Sequence, residues 1–318
     1  MSDVDYGAVP LSRVVRGDLV ESVHLGHLVV LAPDGSVRLA LGDPDVTIWA
    51  RSSLKPLQAV GMLGAGLDVD GERLALVCAS HNAEPGHLAV VEAVLASAGL
   101  TTGALHNTPD WPLDPDAAFE RRATGHGPAP LTQNCSGKHA GMLATCVAAG
   151  WSTEDYLAVE HPLQVALGAS VAALTGVGVE HITVDGCGAP LFSTTLVGLA
   201  RSFGLVAGAT SGPAARVARA MSEHPWHVAG TGRDATAFMT AVTGLVAKDG
   251  ADGVYAAGLP DGGAVAFKVL DGSSRPRPAV LAAALAVAGV EVGDLGATPV
   301  LGHGRPVGAV EATFGPAA

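Results

Sequence analysis

With 318 residues, 48% of them hydrophobic and 15% charged, the chain is long enough to bury a sizeable core and too apolar to stay disordered. Its formal net charge of −12 repels polyanions, and its Lys and Arg residues are scattered, which excludes nucleic acid as an expected partner and favours a small ligand. No stretch reaches the ~18 uncharged apolar residues of a membrane helix, and MSDVDYGAVP has neither the basic flank nor the apolar run of a leader, so no membrane partner and a cytoplasmic location are expected.

From Leu19, the apolar runs on either side of Pro33-Asp34-Gly35 read as a hairpin, and Val46–Ala50 as a further strand. The segment RSSLKP then leads into LQAVGMLGAG, which has helical spacing. ERLALVCAS and HLAVVEAVLASAGL read as helices separated by the polar loop SHNAEPG, with Gly99 as a stop signal. Residues 101–133, rich in Pro, Gly, Asp and His, read as a long irregular connection. CSGKHAGMLATCVAAG enters a helix, HPLQVALGASVAALTG is a helix with Pro in its first turn, and HITVDGCG is a strand running into a glycine turn. APLFSTTLVGLARSFG, GPAARVARAMSEHP and TAFMTAVTGLVAKDG continue the helices. Two strands, GVYAAGL and GAVAFKVLDG, an Ala-rich helix and a strand-like VGAVEATF end the chain. Strands at both ends around a helical middle at roughly 55–245, without βαβ alternation, predict an α+β fold. Its largely antiparallel sheet would carry helices on both faces, in one catalytic unit spanning residues 1–318.

Ser52 and Lys55, at i and i+3, share one face if helical, and a neutral lysine there could take the serine proton. The alternative is an ordinary capped helix start. Pro56 confines the pair to the first turn, and Ser53 points away. Ser80 to Asn82 form an S-x-N loop, and Lys268 stands among apolar neighbours in a strand before Asp271-Gly272. In that order these elements resemble the three-part site of penicillin-binding and serine β-lactamase enzymes, with a last element that departs from K-T-G.

The four cysteines lack CxxC spacing and are expected to be reduced thiols. Two of them keep unusual company. NCSGKHAGM puts Cys135, Lys138 and His139 at a helix entrance, and VDGCGAP brings Asp185 and Cys187 to a sheet end. Three readings stay open on these residues: buried structural thiols, a Cys135–His139 nucleophile, or a zinc site in which His139 would be the natural third ligand and Lys138 an uncommon one.

Taken together, RSSLKPLQ, CASHNAEPGH, QNCSGKHAGM, VDGCGAP, AGTGRDATAFM and AFKVLDG resemble the Rhizobium etli-type asparaginase II family of bacterial amidohydrolases, from about Val20 to the C-terminus. The resemblance implies a fold related to glutaminases and serine β-lactamases, hydrolysis of L-asparagine to L-aspartate and ammonia, and a homodimer. It implies Ser52 as nucleophile with Lys55 as base, and Ser80 with Lys268 as a second Ser–Lys pair. It also implies one zinc ion per subunit on Cys135, Lys138 and Cys187, in a tuning or structural role. Arg51 and Asp185 would hold the charged groups of the substrate, with His139 nearby. The competing expectations are a glutaminase or lactam-acting serine hydrolase, and a catalytically silent zinc-binding protein.

Overall fold

The computed structural model describes residues 4–316; residues 1–3 and 317–318, the outer ends of the expected unit, lie outside the described residues. The chain opens with β1 (Val9–Arg16), β2 (Leu19–Leu31), β3 (Val37–Leu41) and β4 (Thr47–Trp49). Helices α1 (Lys55–Gly64), α2 (Gly71–Val77), α3 (Pro85–Ser97), α4 (Pro115–Ala123), α5 (Ser136–Ala149) and α6 (Pro162–Thr175) follow. Strands β5 (Ile182–Val184) and β6 (Pro190–Thr195) interrupt the helical middle before α7 (Leu196–Ala207), α8 (Gly212–Glu223), α9 (Pro225–Val228) and α10 (Asp234–Ala241). The chain closes with β7 (Val246–Asp249), β8 (Val254–Gly258), β9 (Ala264–Val269), α11 (Arg277–Val287), β10 (Thr298–Gly302) and β11 (Arg305–Ala312).

The α+β reading holds: the larger sheet, in the order β10-β11-β1-β2-β9-β8-β7, is antiparallel throughout and joins strands from both chain ends. The 13-residue β2 organises it. One edge of β2 pairs with β1 along its first half and with β3 along its second, while the other edge pairs with β9. Helices cover both faces. On one, α7 lies close to the sheet because Gly258 and Gly204 leave room for backbone, a Cβ on Gly258 falling 2.1 Å from the Phe203 carbonyl oxygen. On the other, Arg277 at the start of α11 lies over the ring of Tyr255, which stacks on Phe267. Fully buried side chains such as Leu28, Val30, Phe203 and Phe267 contribute about 1.5–3 kcal/mol each.

The structure differs from the sequence reading in two places near the site. PLFSTT is strand β6, flanked by β4 and β5 in a separate three-stranded sheet, and the helix begins only after Thr195, whose hydroxyl caps the Gly198 N–H at 3.1 Å. The β-branched threonines and Pro190 favour extended backbone over helix. Likewise α10 stops at Ala241, the chain turns at Gly244 with φ +77°, and Val246–Asp249 forms β7 rather than a helix end.

Candidate active site

The chain leaves β4, passes Ala50 and turns at Arg51, whose φ of +51° lies in the left-handed region. Such a conformation costs a non-glycine residue on the order of 1–3 kcal/mol. Charge-assisted bonds offset it: the Arg51 guanidinium donates to Asp185 Oδ1 at 2.8 Å and pairs with Asp252. The turn launches a 3₁₀ segment, Arg51–Leu54, that runs into α1, where Pro56 falls at the second position and forfeits no hydrogen bond. Ser53 points away, donating to the Lys248 carbonyl at 3.1 Å. Lys55 is 1% exposed, and its ammonium donates to the Ala79 carbonyl and, at 2.9 Å, to Ser80 Oγ. The observed Ser–Lys hydrogen bond therefore joins Lys55, at the start of α1, to Ser80 in the loop after α2.

Backbone pairing holds Ser80 in place. The Ser80 and Asn82 N–H groups donate to Val228 and Ala229, and the His81 N–H donates to Asn134. The His81 Nδ1 accepts from the Ala83 N–H at 3.1 Å, so the other ring nitrogen carries the proton and donates to Ser136 Oγ at 2.9 Å. Burial, with His87 nearby, holds His81 well below the ordinary imidazole range and keeps it neutral.

Cys135 and Cys187 converge at the pocket wall with Lys138 behind them, the three being 4%, 2% and 2% exposed respectively. Lys138 Nζ stands 3.2 Å from Cys187 Sγ. The Cys135 S–H has two acceptors in reach, Asn134 Oδ1 at 3.0 Å and the Cys187 sulfur. Bonding to Cys187 and burial push Cys135 up to about 12, whereas the bond from Cys135, together with Lys138, pulls Cys187 down to about 5. Proton loss is thus favoured at Cys187, which both the Cys135 S–H and Lys138 approach, over Cys135. Burial opposes the Lys138 charge, but the neighbouring thiols and Asp185 outweigh it and raise its pKa. Among the described residues no three His, Cys, Asp or Glu side chains are placed to hold a metal ion. Cys135 and Lys138 both approach Cys187, and these two sulfurs and an amine could hold a metal ion only after Cys135 and Lys138 lose their protons. His139 is fully buried and does not line the pocket; its Nδ1 bonds to the Tyr156 hydroxyl at 2.9 Å, not to Cys135, which removes the thiol–imidazole pair.

A pocket of about 340 Å³ opens onto Arg51, Ser52, Ser80, Cys135, Asp185 and Cys187, bringing six of the sequence-predicted residues together. Lys55 and Lys138 stand behind its wall. Lys268 does not belong to it: on β9, paired with His27 and Val254, it donates to the Asp252 carbonyl and lines a different cavity. The Ser80–Lys268 pair is thus not formed. A further lysine, Lys248 on β7, stands beside the lining residue Asp249, fully buried and pushed by burial, against the pull of Asp249, down to about 8. Its ammonium donates to Asp249 Oδ1 at 2.6 Å, and Asp249 Oδ2 accepts from Arg233 at 2.8 Å and Arg277 at 3.2 Å. Arg233, Asp249 and Arg277 line the pocket; Arg233 falls in AGTGRDATAFM without a role assigned to it, and Arg277 carries no local sequence signal. Lys248-Asp249-Gly250, a K-x-G triplet, did carry one, hidden when the segment is read as helix.

The family model described as L-asparaginase II matches residues 12–312. No curated protein matches the chain. Among solved structures, a β-lactamase from Mycobacterium bovis is 15% identical over 78% of this chain and 88% of that one, with a TM-score of 0.44. Mglu in its tris and glutamate form is 16% identical over 81% of this chain, with a TM-score of 0.36, and only 57% of its own length is covered.

Proposed function

The chain belongs to the L-asparaginase II family of amidohydrolases, and from that premise we propose that it releases ammonia from L-asparagine, leaving L-aspartate, by acyl transfer through a serine. Ser52 Oγ attacks the side-chain amide carbon, its proton passes to the Lys55–Ser80 pair, and the pair hands that proton to the nitrogen as the C–N bond breaks, so that ammonia leaves. Water then hydrolyses the seryl ester and restores the hydroxyl. The observation that carries this reading is the buried Lys55–Ser80 hydrogen bond, 2.9 Å long, at the wall of the pocket that Ser52 also lines. Lys248, titrating at about 8, is the second lysine of the site in the place first given to Lys268.

Asparagine is a small zwitterion, and the pocket offers a complement for each charge. Asp185 accepts from Arg51 and from the Gly186 N–H on Oδ1, which leaves Oδ2 for the ammonium group. Burial alone would raise its pKa, but Lys138 and Arg51 prevail and keep it ionised. Arg51 faces the carboxylate. Cys135, Lys138 and Cys187 would hold the zinc ion, which would add a fixed positive charge to the pocket wall and depress nearby pKa values.

A second reading places the acyl group on Ser80, favoured because Ser80 carries the hydroxyl that Lys55 contacts. Ammonia release from asparagine and glutamine, with a chromogenic cephalosporin alongside, separates the substrate classes. Ser52→Ala should lower asparagine turnover at least about a thousandfold with an unchanged circular dichroism spectrum. Turnover that survives Ser52→Ala but not Ser80→Ala moves the acyl group to Ser80; a folded wild type inert toward every amide rejects the proposal.

A further inference from the structure

A second cavity, of about 530 Å³, adjoins the substrate pocket, in the range of about 300–1,000 Å³ usual for small-molecule sites. It lies between the smaller sheet and the end of the larger one, walled by Ile48, Trp49, Val184 and Leu191, with Lys268 and Asp252 at its polar side. The partition between the two compartments is one residue thick. Asp185 and Ala251 face the substrate pocket while their chain neighbours Val184 and Asp252 face the second cavity, and Arg51 borders both.

The partition holds two cations, Arg51 and Lys268, and two carboxylates, Asp185 and Asp252, but the hydrogen bonds among them are unevenly shared. Arg51 is engaged by the carboxylates of Asp185 and Asp252. Lys268 is half-buried; its ammonium donates to the Asp252 carbonyl, a neutral group, while the Asp252 and Asp271 carboxylates act on it through space without a hydrogen bond. An ammonium without a bonded carboxylate, facing a cavity of aromatic and branched aliphatic side chains, complements a ligand with one anionic end and an apolar body.

We propose that this cavity is a second binding site, separate from the substrate pocket, for a small amphiphilic monocarboxylate whose carboxylate meets Lys268 and whose aromatic or branched tail rests on Trp49, Ile48 and Leu191. Nothing in it depends on the asparaginase reading, and its test does not use turnover.

The full chain is titrated with 3-phenylpropionate and with the uncharged 3-phenyl-1-propanol, by calorimetry and by tryptophan fluorescence. Saturable 1:1 binding of the acid is expected, with the alcohol at least about tenfold weaker. Lys268→Met should weaken the acid at least about tenfold, and so should Val184→Glu, which sets a like charge at a position 66% exposed and safe for folding. Trp49→Phe should abolish the fluorescence change while leaving calorimetric binding. No saturable binding by the wild type, equal affinity for acid and alcohol, or binding unchanged in both Lys268→Met and Val184→Glu would overturn the site.

Discussion

Replacing Lys248 with methionine should remove activity that replacing Lys268 leaves in place. Lys248 is fully buried at the pocket wall, 2.6 Å from Asp249, whereas Lys268 is half-buried and bonded to a carbonyl beside another cavity. Loss of a proton-transferring group costs about 10²–10⁴ in rate, or about 3–5 kcal/mol of barrier. Lys268→Met should change asparagine turnover less than about threefold, since it forfeits one surface hydrogen bond. The pH dependence carries a sign. If neutral Lys248 is required, a group titrating at about 8 is about one-tenth neutral at pH 7 and about nine-tenths at pH 9, so kcat/KM should rise roughly tenfold across that interval. Stability moves the same way. Below pH 8 folded and unfolded chains both hold the proton, and burial of the charge weighs against folding in full. Between about 8 and 10.5 the folded chain has released a proton that the unfolded chain retains, so unfolding free energy climbs, by up to roughly 3 kcal/mol. Steady-state ammonia release and urea unfolding from pH 6.5 to about 10 measure both effects. Full activity in Lys248→Met, or a limb near pH 8 that survives it, refutes the assignment.

Other substitutions test the scaffold. Gly137→Ala gains about 1 kcal/mol of helix propensity, but its Cβ would stand 2.3 Å from the Leu76 carbonyl oxygen. Net destabilisation of about 2 kcal/mol or more should appear in the urea midpoint, and a stabilised variant would contradict the packing of α5 on α2. Tyr156→Phe strips away the hydroxyl that accepts from the His106 N–H at 3.1 Å and bonds His139 Nδ1 at 2.9 Å. A loss of about 2–3 kcal/mol is expected, and one within error of zero would show those groups finding other partners. Cys187→Ser should lower zinc bound per chain, read by elemental analysis after dialysis against buffered zinc; unchanged stoichiometry would remove Cys187 from the donor set. Chelation of the wild type should slow ammonia release without unfolding, because zinc is assigned a tuning role; complete loss in a folded protein would give it a direct one.

Much of the site was legible because its parts are local. Pro56 confines Lys55 to a helix entrance whatever the rest of the fold does, and Cys135 and Lys138 are i and i+3 at the start of α5. The lysine of β7, Lys248, was not legible, for a physical reason. Apolar residues in TAFMTAVTGLVAKDG satisfy helical spacing as far as Lys248, yet Gly244 takes φ +77°, where a Cβ would sit 2.5 Å from Pro260, so the helix cannot continue. With Lys248 hidden in an expected helix, Lys268 was the strand lysine that remained. The roles of Arg233 and Arg277 were not legible either, although AGTGRDATAFM marks the first: their bonds to Asp249 join residues 16 and 28 positions apart, and pairing over such separations exists only after the sheet forms.

The partner of Lys55 was not legible from spacing alone. An i, i+3 rule places Lys55 beside Ser52 only if both lie in one regular helix. Here Ser52 sits in the 3₁₀ turn, and the Lys55 side chain crosses to the loop that leaves α2 at Ala79 and Ser80. The amine thus stands behind the pocket while the Ser52 hydroxyl stands in it, and Ser80 is the group that touches both regions. If the Ser52 proton reaches Lys55 through Ser80, the two serines act as a unit, and their losses should not multiply. Single alanine variants that each lower kcat about 10³-fold should combine to a double variant little worse than either, because each already breaks the same transfer. A double variant slower by about the product of the two factors would show independent roles, and the relay through Ser80 would then be wrong.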